Sequence, residues 1–175
     1  MKNNKSIGLF LKYTTYVAIL FGIFIIQNTP ILLEIMGIKP NLLYVCAIAI
    51  AMFEGEFIGG IFGIVVGMFC DLGSYNIFGF NSIFLLIVCV AIGLAFIYFM
   101  KNSKINLLIM TSLTLLSRAL IEFFFVYVIW NLEDVNNILI HQLLPTSLYS
   151  LIFAIPIYIL IEKIYFFYGE KYNFD

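Results

Sequence analysis

Five long apolar blocks constrain the fold of this chain more than any other feature. They cover residues 13–33, 41–71, 79–100, 105–130 and 144–168. A helix that crosses a bilayer needs about 20 predominantly apolar residues, so four of the blocks each have the length of a single span. Hydrophobic residues make up 63% of the 175 positions and charged residues only 11%. This balance predicts one all-α integral membrane domain that comprises residues 1–175.

The second block is too long for one span, and Glu54-Gly55-Glu56 interrupts it. It could form one long tilted helix. It could equally form two short spans, residues 41–53 and 57–71, that an acidic turn joins. Hydropathy alone does not distinguish these two arrangements.

The distribution of lysines favours the two short spans, because Lys and Arg concentrate in cytoplasmic loops. With six spans and a cytoplasmic N-terminus, Lys39 is the only lysine on the outer face of the membrane. The other lysines lie on the cytoplasmic side together with both termini: Lys2, Lys5, Lys12, Lys101, Lys104, Lys163 and Lys171. Five spans would place Lys101 and Lys104 outside. We therefore expect a polytopic bundle of six transmembrane helices whose second and third spans are short.

Glycines recur every four residues in the second block. Gly55, Gly59, Gly63 and Gly67 would form one stripe without side chains on a helix, and Asp71 continues it by one more step. Glycine costs a helix in water about 1 kcal/mol relative to alanine, but small residues let membrane helices approach closely. The stripe therefore predicts a packing surface for another helix, either of this chain or of a partner protein.

Arg118 and Glu122 are four residues apart inside the fifth predicted span. That spacing places them on one face of a helix, within reach of an ion pair. A lone arginine at the bilayer centre costs roughly 3 kcal/mol on insertion scales, so a partner is expected. Asp71 is the other candidate partner. We interpret this intramembrane polar cluster as a structural clamp, and a proton or substrate relay is the alternative.

Little else in the sequence suggests chemistry. The net charge of −1 provides no basic surface for nucleic acid. The three cysteines lie in apolar runs, as buried packing residues do. Glu54 and Glu56 flank a turn, which they would cap rather than act as paired catalytic carboxylates. We predict no catalytic residues, no metal site and no cofactor.

The chain resembles the rod-shape-determining membrane protein family MreD over its full length, most specifically in its middle. That family has Pro-(Asp/Asn) before a hydrophobic run, then Gly-x-x-x-Gly-(Leu/Met)-x-x-Asp, and then Leu/Phe-Gly after a short loop. The matching positions here are Pro40, Asn41, Gly63, Gly67, Met68, Asp71, Phe78 and Gly79. Asn41 stands where an acid is often found. The specific part of the resemblance covers residues 39–80.

The resemblance implies a non-enzymatic scaffold of the bacterial cell-elongation machinery in the inner (cytoplasmic) membrane. Its implied partner is the single-span protein MreC, and further contacts would be the glycan polymerase RodA, its penicillin-binding transpeptidase and the cytoplasmic, actin-like MreB. These functions follow from the family and not from the residue pattern.

Two other functions remain open. The family looks like the six-helix substrate-binding subunits of energy-coupling-factor vitamin transporters, and such a subunit needs an outward pocket with several polar groups. The candidate residues for that pocket are Asp71, Tyr75, Asn76, Asn81, His141 and Gln142. A membrane enzyme that acts on lipid-linked wall precursors ranks last, because no carboxylate or metal cluster has suitable spacing.

Overall fold

Six α-helices form the part of the chain that the computed structural model describes. This part comprises residues 2–29, 34, 38–73, 78–122, 124 and 144–172. The helices are α1 (Lys2–Asn28), α2 (Leu42–Leu72), α3 (Phe80–Tyr98), α4 (Lys104–Glu122), α5 (Leu144–Ile152) and α6 (Ala154–Tyr172). No strand occurs in these residues, so the prediction of an all-helical chain is confirmed.

Four helices, α1 to α4, are long and apolar enough to cross a membrane, and α5 with α6 forms a fifth candidate that is bent by 44°. The bend lies at Phe153. Pro156 explains it, since a proline has no N–H to donate to the carbonyl of Ile152, four residues earlier. A total of six spans requires α2 to cross twice and stays a prediction.

Helix α2 changes direction at Gly55, whose φ of 84° and ψ of −172° are not helical. A Cβ built on Gly59 would lie 2.7 Å from the Cα of Ala51, although eight residues of continuous helix separate two Cα atoms by about 12 Å. The chain therefore folds back on itself, with residues 42–54 before the turn and 56–72 after it. We call this unit the Gly55 hairpin.

The first half of the Gly55 hairpin is the centre of the bundle. Residues 43–51 are all 0–1% exposed. The second half, residues 56–72, packs along α3, and α1, α4 and α6 also contact α2. The hydrophobic core is thus built around a single short helical segment that neighbouring helices cover on every side.

The hairpin gives the bundle two ends. At one end lie Glu54 and Glu56, with Lys12 of α1 and Tyr165 of α6 close to Glu54. We call this the Glu54 end. At the other, the Asp71 end, the start of α2 lies beside the end of α2 and the start of α3. This second end holds most of the residues that the sequence singled out.

Candidate functional site

The glycine stripe faces α3. A Cβ on Gly63 would lie 2.7 Å from the carbonyl oxygen of Leu85, and a Cβ on Gly67 would overlap the backbone of Ser82. Gly59 is wedged between Ala51 and α3. Distances this short leave no room for any side chain, so the stripe brings the two helix backbones into direct contact. The surface is occupied by this chain's own helix.

Helix α3 contributes a glycine of its own to this contact. A Cβ on Gly93 would overlap the backbone of Glu56 and lie 2.6 Å from the carbonyl carbon of Gly55. Gly67 lies against Ser82 at one end of the contact, and Glu56 lies against Gly93 at the other. Residue numbers therefore rise along one helix as they fall along the other, as in two antiparallel helices. The stripe and Gly93 together set the register of α3 on the hairpin.

Asp71 ends the stripe and connects α2 to α3. Asp71 is buried, at 4% exposed. It accepts four hydrogen bonds, from Gly79 N (3.0 Å), Asn81 N (3.2 Å), Asn81 Nδ2 (2.8 Å) and Ser82 Oγ (2.9 Å). The backbone donors belong to the first turn of α3, which makes Asp71 an N-terminal cap supplied by another helix. A carboxylate there is also stabilised by the helix dipole.

Gly79 explains the spacing of this motif. It has a φ of 94°, in the left-handed region that favours glycine. This conformation lets its N–H reach Asp71 while the chain turns into α3. The eight-residue separation of Asp71 and Gly79 is therefore the distance along the chain that lets Asp71 cap the start of α3.

Tyr44 extends the network to the first half of the hairpin. Its hydroxyl donates to Asn81 Oδ1, and the amide of Asn81 donates to Asp71. In a continuous straight helix, Tyr44 and Asp71 would be about 40 Å apart. We call Tyr44, Asp71, Asn81 and Ser82 the Asp71 network. The side-chain amide of Asn81 bonds both Tyr44 and Asp71, which is a second indication that the chain reverses at Gly55.

Arg118 adjoins the Asp71 network from α4. Its Nη2 lies 3.5 Å from Glu122 Oε2, and its guanidinium lies 4.8 Å from the centre of the Tyr44 ring. Both side chains of the ion pair are mostly buried. Of the two partners that the sequence allowed, the structure places Glu122 within ion-pair distance of Arg118. Asp71 lies in the adjoining network of Tyr44 and Asn81.

Pro40 and Asn41 lie at the start of α2, at the same end of the bundle. The N–H of Asn41 donates to Ser150 Oγ at 2.7 Å, and the N–H of Leu43 donates to Gln27 Oε1 at 3.2 Å. The first N–H groups of a helix need acceptors outside the helix. Here α1 and α5 supply them, while the side chain of Asn41 makes no capping bond.

The Glu54 end holds a buried ion pair that sequence reasoning missed. Lys12 contacts Glu54, and both side chains are less than 10% exposed. Tyr16 donates to the same carboxylate at 2.8 Å, and the Lys12 ammonium lies 4.2 Å from the Tyr165 ring centre. The available signal was the position of Lys12 immediately before an apolar run. Glu54 therefore does more than cap the turn at Gly55, because its carboxylate also bonds that turn to α1.

A small cavity opens beside Arg118 at the Asp71 end. Its volume is about 90 Å³, and its polar lining comes from Gln27, Asn28, Asn41, Tyr44 and Arg118. At roughly 30 Å³ for each water, it would hold about three waters. Four polar residues that the sequence proposed for an outward pocket lie outside the described residues: Tyr75, Asn76, His141 and Gln142.

The described polar groups of Tyr44, Asp71 and Glu54 bond between helices and so hold them together. Within the described residues, no three His, Cys, Asp or Glu side chains are placed to share a metal ion. The fold and the Asp71 network define a helical, polytopic membrane protein whose buried polar residues fix the positions of its helices.

Comparison with known families identifies which helical membrane protein this is. The family model described as "rod shape-determining protein MreD" matches residues 7–167. The chain belongs to the MreD family, and it is a rod-shape-determining membrane protein. Searches of curated proteins and of solved structures found no significant match.

Proposed function

We propose that this protein is a non-enzymatic scaffold of the cell-elongation machinery. In this role it binds an MreC-like single-span protein and supports lateral cell-wall synthesis, with RodA, its transpeptidase and MreB as further contacts. The observation that carries the proposal is the family match over nearly the whole chain. The structure is compatible with it, because the described buried charges of Glu54, Asp71 and Arg118 all bond to groups of this chain.

The proposed topology has six crossings in the cytoplasmic membrane, with both termini in the cytoplasm. The reversal at Gly55 supports two crossings by α2, since residues 42–54 and 56–72 run in opposite directions. In this orientation the Glu54 end is cytoplasmic, and so is the α3–α4 turn with Lys101. Lys39 then lies outside, at the Asp71 end.

Site-specific labelling tests this topology. Asn102→Cys and Lys39→Cys are introduced separately after Cys46, Cys70 and Cys89 have been replaced by alanine. A membrane-impermeant maleimide added to intact cells should label position 39 and spare position 102 until the cells are opened. Labelling of both positions from the outside would contradict the six-span arrangement.

Because α3 covers the glycine stripe, the partner must bind elsewhere. Outward-facing apolar side chains are abundant on α1, where Phe10 is 72% exposed and Phe21 is 53% exposed. Such faces are ordinary lipid contacts in a membrane protein, and they also give a partner helix room to bind.

Co-purification tests the scaffold proposal. The tagged chain is extracted in mild detergent together with the MreC-like protein encoded by the same genome, and we expect near-equimolar recovery. Asp71→Leu should reduce both partner recovery and the restoration of rod shape in cells that lack the wild-type protein. Glu170→Gln, an exposed acid on α6, serves as the matched control. A folded wild-type chain that retains no partner would contradict the proposal.

The transport alternative is tested by ligand binding. Small-molecule pockets usually have volumes of about 300–1,000 Å³, and the described cavity at the Asp71 end has only about 90 Å³. A thermal-shift screen against a panel of vitamins should therefore show no stabilisation. A reproducible shift with one vitamin, abolished by Asn81→Ala, would favour the transporter over the scaffold.

A further inference from the structure

An apolar groove separates α3 from α4. A turn of five residues joins these helices, yet their backbones make few close contacts. The groove between them has a volume of about 300 Å³, and its walls include Val88, Ala91 and Ala95 of α3 and Leu113, Thr114 and Ser117 of α4. The two hydroxyls donate to carbonyls of their own helix, Thr114 to Met110 and Ser117 to Thr114. The groove is therefore chemically apolar.

The size of the groove indicates what can occupy it. Its walls extend over residues 88–95 and 110–117, which is about 10 Å of helix at 1.5 Å per residue. A volume of about 300 Å³ over that length corresponds to a channel roughly 6 Å wide. A helix with side chains is about 10–12 Å in diameter and would not enter. An unbranched hydrocarbon chain is narrow enough.

Two lysines lie beyond the end of the groove, Lys101 on the α3–α4 turn and Lys104 at the first residue of α4. Lys101 and Lys104 are exposed, and neither forms an ion pair with any described residue. The sequence has no acidic residue between Asp71 and Glu122, so α3 and the turn provide none to neutralise them. The Asn106 amide donates to the carbonyl of Lys101 at 2.8 Å, which fixes the turn. Two cations thus lie at the membrane surface beside an apolar channel.

We propose that this groove binds one phospholipid with an anionic headgroup. Its phosphate lies between Lys101 and Lys104, and one acyl chain runs along the groove towards Val88 and Ser117. Ten residues of α3, or about 15 Å of helix, separate Val88 from Tyr98, and Lys101 lies beyond that helix end. This length matches about one leaflet of hydrocarbon. The charge of the lysines selects the headgroup, and the width of the groove selects a chain rather than a helix.

Native mass spectrometry of the protein alone tests this proposal. The wild-type protein is released from nanodiscs of phosphatidylglycerol mixed with phosphatidylcholine. We expect one retained phosphatidylglycerol, with a preference of about tenfold over phosphatidylcholine, since each lysine near a charged surface strengthens binding severalfold. The double variant Lys101→Gln/Lys104→Gln should lose that preference. Lys163→Gln/Lys171→Gln removes the same charge from α6 and should keep it.

Filling the groove separates a bound lipid from a bound helix. Ala95→Phe should abolish lipid retention while the thermal midpoint in phosphatidylcholine stays unchanged, and Ala91→Leu serves if Ala95→Phe does not fold. Equal retention of both lipids by the wild type, or undiminished preference in the lysine variant, would overturn the proposal. So would an Ala95→Phe protein that keeps its phosphatidylglycerol but loses an MreC-like partner. None of the lipid measurements depends on the scaffold role.

Discussion

Helix α3 has two faces that are both lined by small residues and yet pack in opposite ways. One face lies on Gly63 and Gly67 so closely that no Cβ could be inserted at either glycine. The other carries Ala91 and Ala95 and borders an open groove beside α4. Small residues therefore permit close approach without enforcing it.

The difference between the faces comes from what fixes each contact. The close face is fixed at one end by the Asp71 network and at the other by the approach of Gly93 to Glu56. On the α4 side, the hydroxyls of Thr114 and Ser117 bond within their own helix. Polar bonds between helices set the register on one face, and they are absent among the described contacts of the groove.

The largest effect is expected when a side chain is added to the close face. Gly63→Leu would place its Cβ against the carbonyl of Leu85, and overpacking of this kind costs roughly 3 kcal/mol or more. We expect little folded protein by size-exclusion chromatography in detergent. Gly22→Leu is the matched control, because a Cβ there has open space. If both variants unfolded equally, the distinction between the two faces would be lost.

Removal of the Asp71 carboxylate should have the next largest effect. Asp71→Leu leaves the donors of Gly79, Asn81 and Ser82 without this acceptor inside the protein, which costs roughly 3 kcal/mol. Asp71→Asn keeps one acceptor oxygen and should lose less. Thermal unfolding in detergent measures both variants. A midpoint unchanged by Asp71→Leu would show that the network does not hold the close face together.

The hairpin turn should show a smaller loss. Gly55 combines φ 84° with ψ −172°, a region that only glycine adopts readily, so Gly55→Ala should cost about 1–3 kcal/mol. Gly79 lies at φ 94° and ψ −14°, where other residues are strained less, so Gly79→Ala should cost about 1 kcal/mol. The thermal unfolding midpoints of the two variants show which substitution destabilises the protein more. The reverse order would contradict the tight turn at Gly55.

The smallest effect is expected in the groove. Ala95→Leu adds side-chain volume where the structure has open space, so the free energy of unfolding should change by less than about 0.5 kcal/mol. The same type of measurement, in one detergent, compares it directly with Gly63→Leu. A loss as large as that of Gly63→Leu would mean that α3 and α4 pack as closely as α2 and α3.

Much of this architecture is predictable from local sequence. Glu54-Gly55-Glu56 breaks an apolar block, the spacing of Arg118 and Glu122 permits their ion pair, and Pro156 lacks the N–H that a straight helix needs. Each of these is a property of one segment. The sequence of that one segment is enough to predict each feature.

The rest depends on which helices become neighbours. The sequence of the glycine stripe is compatible with packing against α3 or against a partner protein. Only the fold shows that α3 covers it. Tyr44 shows nothing in its local sequence that marks it as bonded to a distant helix. Lys12 and Asn81 stand out as polar residues, but their local sequence does not show which groups they bond. The groove beside Ala95 is a space between two helices, so no periodicity within either of them can show it.

The reversal at Gly55 is the central claim, and one distance tests it most directly. Spin labels are attached to Lys39→Cys and Leu72→Cys in the cysteine-free background, and double electron–electron resonance measures their separation. The hairpin predicts a distance below about 25 Å, because both ends of α2 lie at the Asp71 end. A continuous 31-residue helix would give about 45 Å or more, and that result would contradict the account.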